Sequence, residues 1–283
     1  EATRAIMEQC PTPIVIVTSH GADSDAVTFN ALRMGALQVL EKPVDLLNGM
    51  HQLDRDLFVA TIKALSSVQV IRRRFDDSVR GASGERSQVL RLRNRVEVVA
   101  IGASTGGPAA LNAVLRTLPA TLGLPLLVVQ HITSGFTQGL VDWLQHDCRL
   151  PLRIVQQPLA MAAGTIYFAP DDRHLFVRNK NLLDLSNDPL VNHVRPSVDV
   201  LFESMARCYG GSTLAVLLTG MGEDGAAGMQ AIYTQGGVTI AQDEATSVVY
   251  GMPKAAADLG ACSYILPIHE IGPRLVSLLQ GSQ

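Results

Sequence analysis

VVAIGASTGGPAAL, Val98–Leu111, reads as a buried strand, a glycine turn and the start of a helix, with Ser104 inside the turn. Gly102-Ala103-Ser104-Thr105-Gly106 fits G-x-S-x-G, the bend that presents a serine at the top of a strand. Small residues suit so tight a bend, and the free N–H groups at the start of the following helix suit an oxyanion. The same N–H groups also suit a phosphate. Taken alone, the stretch leaves three readings open: a seat for a nucleophile, a cradle for a phosphate, or tight packing.

Two more strands bear on the choice. Leu124–Gly135, LPLLVVQHITSG, is a second apolar strand with His131 just past its C-terminal end. Thr213–Met229, TLAVLLTGMGEDGAAGM, is a third, running through a glycine turn into a helix that begins near Asp224. Aspartate at a helix start is commonly only an N-cap. In a parallel sheet, however, all strands point one way and their C-terminal ends share one edge. Ser104, His131 and Asp224 then fall on that edge, as nucleophile, general base and the carboxylate that orients the base. This convergence favours the nucleophile. His269 would restore the α/β-hydrolase order Ser–Asp–His, but it reads as a helix-start residue after Pro267. A nucleotide-binding module would want an acidic residue some ~20 positions on for a ribose, and the stretch after Leu111 is apolar and small. A silent scaffold predicts an unreactive Ser104.

The wider pattern is α/β. Strands are expected at 96–102, 125–130, 152–156, 213–219, 237–241 and 262–266, with helices between most of them, giving a doubly wound, mostly parallel sheet. Gly164–Val177, GTIYFAPDDRHLFV, alternates on both sides of Pro170-Asp171-Asp172 and predicts an inserted β-hairpin. His174 and His193 are placed to line a cleft. Ahead of this domain, Pro13–Ser19 reads as a strand, Asp23–Ala36 as a helix and Leu37–Pro43 as a strand, with a further helix from Asp45 to about Ser66. EATRAIMEQ already reads as helix at residue 1, so the chain is expected to begin inside a domain. From Ile71 to Arg95 there are eight arginines and three acidic residues. Few large apolar groups accompany them, so the stretch reads as a flexible basic linker. Its aromatics are too sparse for base stacking.

Composition narrows the class. Of 283 residues, 47% are apolar and the net charge is -3, which suits a protein with a substantial core and not a general nucleic-acid binder. Cys10, Cys148, Cys208 and Cys262 stand far apart with no C-x-x-C pair, the usage of a reducing, cytoplasmic compartment without a disulfide framework or zinc site. No run approaches the ~18 apolar residues of a membrane span, and no signal peptide is evident.

AIGASTGGPAAL, VVQH, GTIYFAPDDRHLFV, RPSVDVLFES, VLLTGMGEDGAAGM and AQDEATSVVYGMPKAA occur in this order. Together they make the chain resemble the chemotaxis-type protein-glutamate methylesterases, the CheB family. The resemblance implies Ser104 as nucleophile, His131 as general base and Asp224 as its orienting partner. It places Thr105 beside the nucleophile and gives the Met221 N–H a part in the oxyanion hole. It implies hydrolysis of glutamate γ-methyl esters on the cytoplasmic helices of chemoreceptors, releasing methanol, with glutamine deamidation in some members. No metal or organic cofactor is called for, and no nucleic acid or membrane insertion. VQQPLAMAAG, Val155–Gly164, departs from the family pattern, which has an acidic-glycine step there.

Residues 1–66 resemble the last part of a flavodoxin-like response-regulator receiver. Thr18 matches the switch hydroxyl and Lys42, before Pro43, the phosphate-pairing lysine. The phosphoacceptor aspartate and acidic metal pocket come earlier in that family's chain than residue 1. A complete receiver would take its phosphoryl group from the histidine kinase of the chemotaxis system and would cover the active-site edge until phosphorylated. The expected layout is 1–66 partial receiver, 67–94 linker and 95–283 methylesterase domain.

Overall fold

The computed structural model describes residues 2–18, 28–32, 34–41, 52–66, 68 and 96–280. The apolar, β-branched runs become seven parallel strands in one sheet. These are β3 (Val98–Ala103), β4 (Leu126–Gln130), β5 (Leu152–Ile154), β7 (Ile166–Phe168), β10 (Thr213–Leu217), β11 (Val238–Gln242) and β12 (Tyr264–Leu266), in the order β12-β11-β10-β3-β4-β7-β5. β3 is central. From it the chain moves outward to β4, then later returns to β10 on β3's other side. That reversal makes a switch point, and a crevice opens there at the C-terminal ends of the strands.

Side chains alternate across the sheet, so two cores form. Val99, Ile101, Leu126, Val128, Leu214 and Val216 pack toward α3 (Gly107–Leu115), α4 (Thr137–Gln145) and α8 (Ile268–Gln280). Val98, Ala100, Leu127, Val129, Ala215 and Leu217 pack toward α5 (Val198–Tyr209), α6 (Ala226–Thr234) and α7 (Met252–Asp258). Strands buried on both faces read as continuous apolar runs, which makes them legible in the sequence. The doubly wound expectation holds for this domain.

The expected hairpin does not form where the alternation suggests. β7 joins the parallel sheet between β4 and β5. β8 (His174–Asn179) instead pairs antiparallel with β9 (Leu182–Ser186), and β6 (Leu159–Ala160) adds to β9 to make a separate three-stranded sheet. Pro170-Asp171-Asp172 is a transfer between sheets. Asp172 sits at φ 50, and Asp171 accepts from the Gly135 N–H at 2.9 Å and from the Thr137 hydroxyl, tying the turn to the start of α4.

In the N-terminal part, α1 (Ala2–Gln9) precedes β1 (Val15–Thr18), which pairs in parallel with β2 (Gln38–Glu41). α2 (Gln52–Ser66) completes this part. Of the expected 23–36 helix, residues 28–32 are helical and 23–27 lie outside the described residues, as do Lys42 and the arginine-rich 71–95 segment. Thr18 closes β1 opposite Glu41. This part touches the larger domain: Phe29 stacks on Trp143 with centroids 6.3 Å apart, and Phe29, Leu32, Ala36 and Val39 join the core on the α3–α4 face. Among the described residues, no helix is long and apolar enough to cross a membrane.

Candidate active site

Ser104 follows the last residue of β3. Its N–H donates to the Thr219 carbonyl at 3.0 Å, and its carbonyl accepts from the Gly107 N–H at 2.7 Å. Gln130, the last residue of β4, donates from Nε2 to the carbonyls of both Ser104 and His131, each at 2.8 Å. One buried carboxamide thus fixes the two neighbouring strand ends to each other. The register agrees, since Ala103 pairs with Gln130 and the His131 N–H donates to the Ala103 carbonyl at 2.9 Å.

The loop after β10 closes over this from the other side. A Cβ on Gly220 would lie 2.7 Å from the Ser104 Cβ and would also strike the Met252 sulfur, so the loop reaches the serine only because residue 220 has no side chain. Thr105 follows the serine in the chain and Met221 follows Gly220, and neither N–H donates a hydrogen bond among the described residues. Both are therefore available to an oxyanion. The Gly106 N–H is taken, donating at 3.3 Å to Oε1 of Gln38 from β2.

His131 and Asp224 meet. His131 Nε2 lies 2.9 Å from Asp224 Oδ2, both side chains being nearly buried. The geometry falls short of an aligned hydrogen bond, so in this state the imidazole and the carboxylate stand in close contact without one. With Nε2 turned to the carboxylate, Nδ1 is the nitrogen left for Ser104. No hydrogen bond joins the Ser104 hydroxyl to the imidazole among the described residues, a looseness common before substrate binds.

Asp224 does not cap its own helix. Gly225, at φ 93, is the N-cap of α6. The Asp224 carboxylate instead sits on the N-terminus of α5. Oδ2 accepts from the Val198 N–H at 2.6 Å, and Oδ1 accepts from the Ser197 hydroxyl at 2.7 Å, the Asn192 amide at 2.9 Å and the Asp199 N–H at 3.3 Å. Burial alone would raise this carboxyl; His131, Ser197 and Asn192 outweigh it and hold it below its ordinary value. Asp199, at the same helix end, shows the opposite. Burial pushes it up to about 6, against the Gly228 N–H that stabilises its charge, and the nearby Asp224 charge adds to the rise.

The three other histidines singled out from the sequence find plain roles. His174 is buried, its Nδ1 accepting from the Ser197 N–H at 3.1 Å while its Nε2 faces the Pro189 carbonyl at 3.1 Å, so it braces the α5 cap and lines no cleft. His193 does line a cavity of 410 Å³, with Asn192, Gly222, Glu223 and Lys254. His269 lies in the first turn of α8, as expected. Arg195 holds Asp172 and the carbonyls of Asn187 and Asp188, a brace between loops. A larger cavity of 980 Å³ lies at the opposite edge, by Val96, Leu124 and Pro125. Among the described residues, no cluster of histidine, cysteine and carboxylate side chains is arranged to hold a metal.

A family model described as CheB methylesterase matches residues 99–275. The chain belongs to the CheB methylesterase family. Its relatives include the protein-glutamate methylesterase/protein-glutamine glutaminase 4 of Myxococcus xanthus, 41% identical over all of this chain and 80% of that one. Another, numbered 2, from Anaeromyxobacter dehalogenans, is 46% identical over 94% of this chain and 75% of its own length. The crystal structure of the Thermotoga maritima CheB methylesterase catalytic domain superposes with a TM-score of 0.63 at 37% identity, covering 65% of this chain and 98% of that one. The protein is accordingly a hydrolase of the CheB methylesterase family.

Within this methylesterase domain, the three side chains at the strand ends are readable from the sequence, and those that hold them are not. Gln130 is visible there only as the residue before His131. Ser197 has a local signal, since a serine ahead of the apolar run VDVLF is an N-cap pattern. Asn192 has none: it is an exposed loop residue whose importance lies in where its amide points.

Proposed function

We propose that this chain is a protein-glutamate methylesterase that uses Ser104, His131 and Asp224 on γ-methyl esters of chemoreceptor cytoplasmic helices. The observation that carries the reading is the 2.9 Å approach of His131 to a buried carboxylate on the strand end beside Ser104, itself held by Asn192, Ser197 and two backbone N–H groups. The Ser104 hydroxyl attacks the ester carbonyl as His131 Nδ1 takes its proton. Negative charge on the carbonyl oxygen falls to the N–H groups of Thr105 and Met221. The tetrahedral intermediate collapses, the C–O bond to the methoxy group breaks, and the imidazolium returns its proton to release methanol. Water then attacks the acyl-serine with the same histidine as base, freeing glutamate and restoring the hydroxyl. Asp224 holds the ring and stabilises its cation. With a glutamine side chain the leaving group is ammonia and the steps are otherwise the same, which makes glutaminase activity part of the proposal. General-base help is worth roughly 10²–10⁴-fold.

We read residues 1–66 as the C-terminal part of a receiver, 67–94 as the connection and 95–283 as the methylesterase domain, with Thr18 and Lys42 as receiver switch residues and a chemotaxis histidine kinase as partner of the complete receiver. The Gln38–Gly106 bond and the Phe29–Trp143 stack favour a regulatory role, since they put this part against the Ser104 loop. The test is methanol release from methylated receptor membranes. The chain should release methanol, and Ser104→Ala and His131→Ala should abolish release while unfolding at the same denaturant midpoint. Near-normal turnover by either variant contradicts the mechanism.

A further inference from the structure

Two carboxylates share the N-terminus of α5. Asp224 occupies the end of the helix, and Asp199, its second residue, turns back to accept the Gly228 N–H at 2.7 Å on Oδ1. Both are buried, and neither is paired with a lysine or arginine among the described residues. Like charges this close repel strongly in a poorly solvated site. The group between them is Asn192. Its single Nδ2 donates one N–H to Asp199 Oδ2 at 2.7 Å and the other to Asp224 Oδ1 at 2.9 Å.

The backbone of Asn192 is shaped for this. It stands at φ 51, a left-handed conformation that asparagine tolerates better than most residues, and His193 beside it is at φ 65. The residue as a whole is exposed, so the strained turn buries little apolar surface; it turns one amide inward. That amide reaches the Asp224 oxygen opposite the one facing His131. Holding Oδ1 by Asn192 and Ser197 fixes the plane of the carboxylate, and with it the direction in which Oδ2 meets the imidazole.

We propose that Asn192 is a positioning residue of the hydrolytic site, a two-handed amide that keeps the Asp224 and Asp199 carboxylates apart and aims Asp224 at His131. The inference rests on the assignment of Asp224 as the orienting carboxylate. Asn192 acts through Asp224, so its loss falls on kcat and leaves KM in place. A misaligned base costs rate on the scale of about 10²-fold for displacements near 1 Å.

Two substitutions in the full chain test it. Asn192→Gly keeps the left-handed backbone and removes the amide. Asn192→Asp keeps the shape and replaces both donors with acceptors, setting a third carboxylate against the other two. The clamp predicts the order wild type, then Asn192→Gly, then Asn192→Asp in kcat for methanol release, with Asn192→Gly down about 10–100-fold and KM unchanged. The rate at which a fluorophosphonate modifies Ser104 should fall in the same order. A residue that merely fills its turn predicts Asn192→Gly and Asn192→Asp both near wild type, since glycine and aspartate each accept a left-handed backbone. That result overturns the proposal, as does a loss seen only in thermal midpoint or only in KM. If instead Ser104→Ala retains turnover, the site assignment itself has failed, and the two failures are told apart.

Discussion

The two edges of the seven-stranded sheet are made of the same strands, yet they differ in kind. At the N-terminal edge lies the larger cavity, 980 Å³, walled by Val96, Leu122, Leu124, Met161 and Val276, with the exposed Glu97–Lys180 pair nearby at 3.0 Å. At the C-terminal edge a cavity of 410 Å³ lies by His193 and Glu223, and every strand near the centre ends in a polar group: Ser104 after β3, Gln130 and His131 at β4, Asp224 after β10. Free N–H groups at Thr105 and Met221 and the amino end of α5 add positive potential there. The size of a hollow therefore says little about chemistry. The direction of the strands, and the helix ends they feed, decide where charge can be held.

Three perturbations sharpen that contrast, the strongest first. Asp224→Asn removes the carboxylate from the active edge and points an NH₂ at donors that now lack an acceptor. Methanol release should drop by about 10⁴-fold, the scale seen when a triad aspartate becomes its amide, measured as kcat at saturating receptor. Retention of about a tenth of the activity would mean the edge does not depend on this charge. Gly220→Ala is next. Its methyl group would press on the Ser104 Cβ and the Met252 sulfur, so kcat should fall about 10²-fold, and the thermal midpoint should fall with it. An unchanged kcat would show that the β10 loop need not touch Ser104. Lys180→Ala, at the other edge, breaks the Glu97 pair and a cation–π contact with Tyr209 at 5.4 Å. It should cost at most about 1 kcal/mol in denaturant unfolding and leave kcat untouched. A loss of activity there would break the division between the edges.

Much of the active edge is legible in the sequence because it follows from periodicity. A run such as TLAVLL has one place to go, between two layers of helices, and the residue after it must then emerge at the shared edge. The hairpin reading fails for a related reason. IYF and HLFV both alternate or bury, but alternation names no partner. β7 finds its neighbours in β5 and β4, through register pairs such as Ile154–Phe168 and Val128–Phe168, and not in the strand that follows it. Asp224 falls where the sequence puts it, but the helix-start reading is incomplete: it caps a helix whose first residue, Val198, lies 26 positions before it, and Gly225 caps its own. Asn192 and Gln130 stay hidden because an amide's role depends on what lies at each end of it. Those ends, Asp199 and Asp224 for one, Ser104 and His131 for the other, come together only after folding.

The central claim is that the serine after β3 becomes covalently acylated. Acid-quenching the protein during turnover of a methylated receptor peptide, digesting with trypsin and mapping the mass of the 96–116 fragment tests it directly. The account predicts an ester-linked glutamyl adduct on Ser104 that vanishes in Ser104→Ala together with methanol release. An adduct on another residue, or methanol release that persists without the Ser104 hydroxyl, would contradict it.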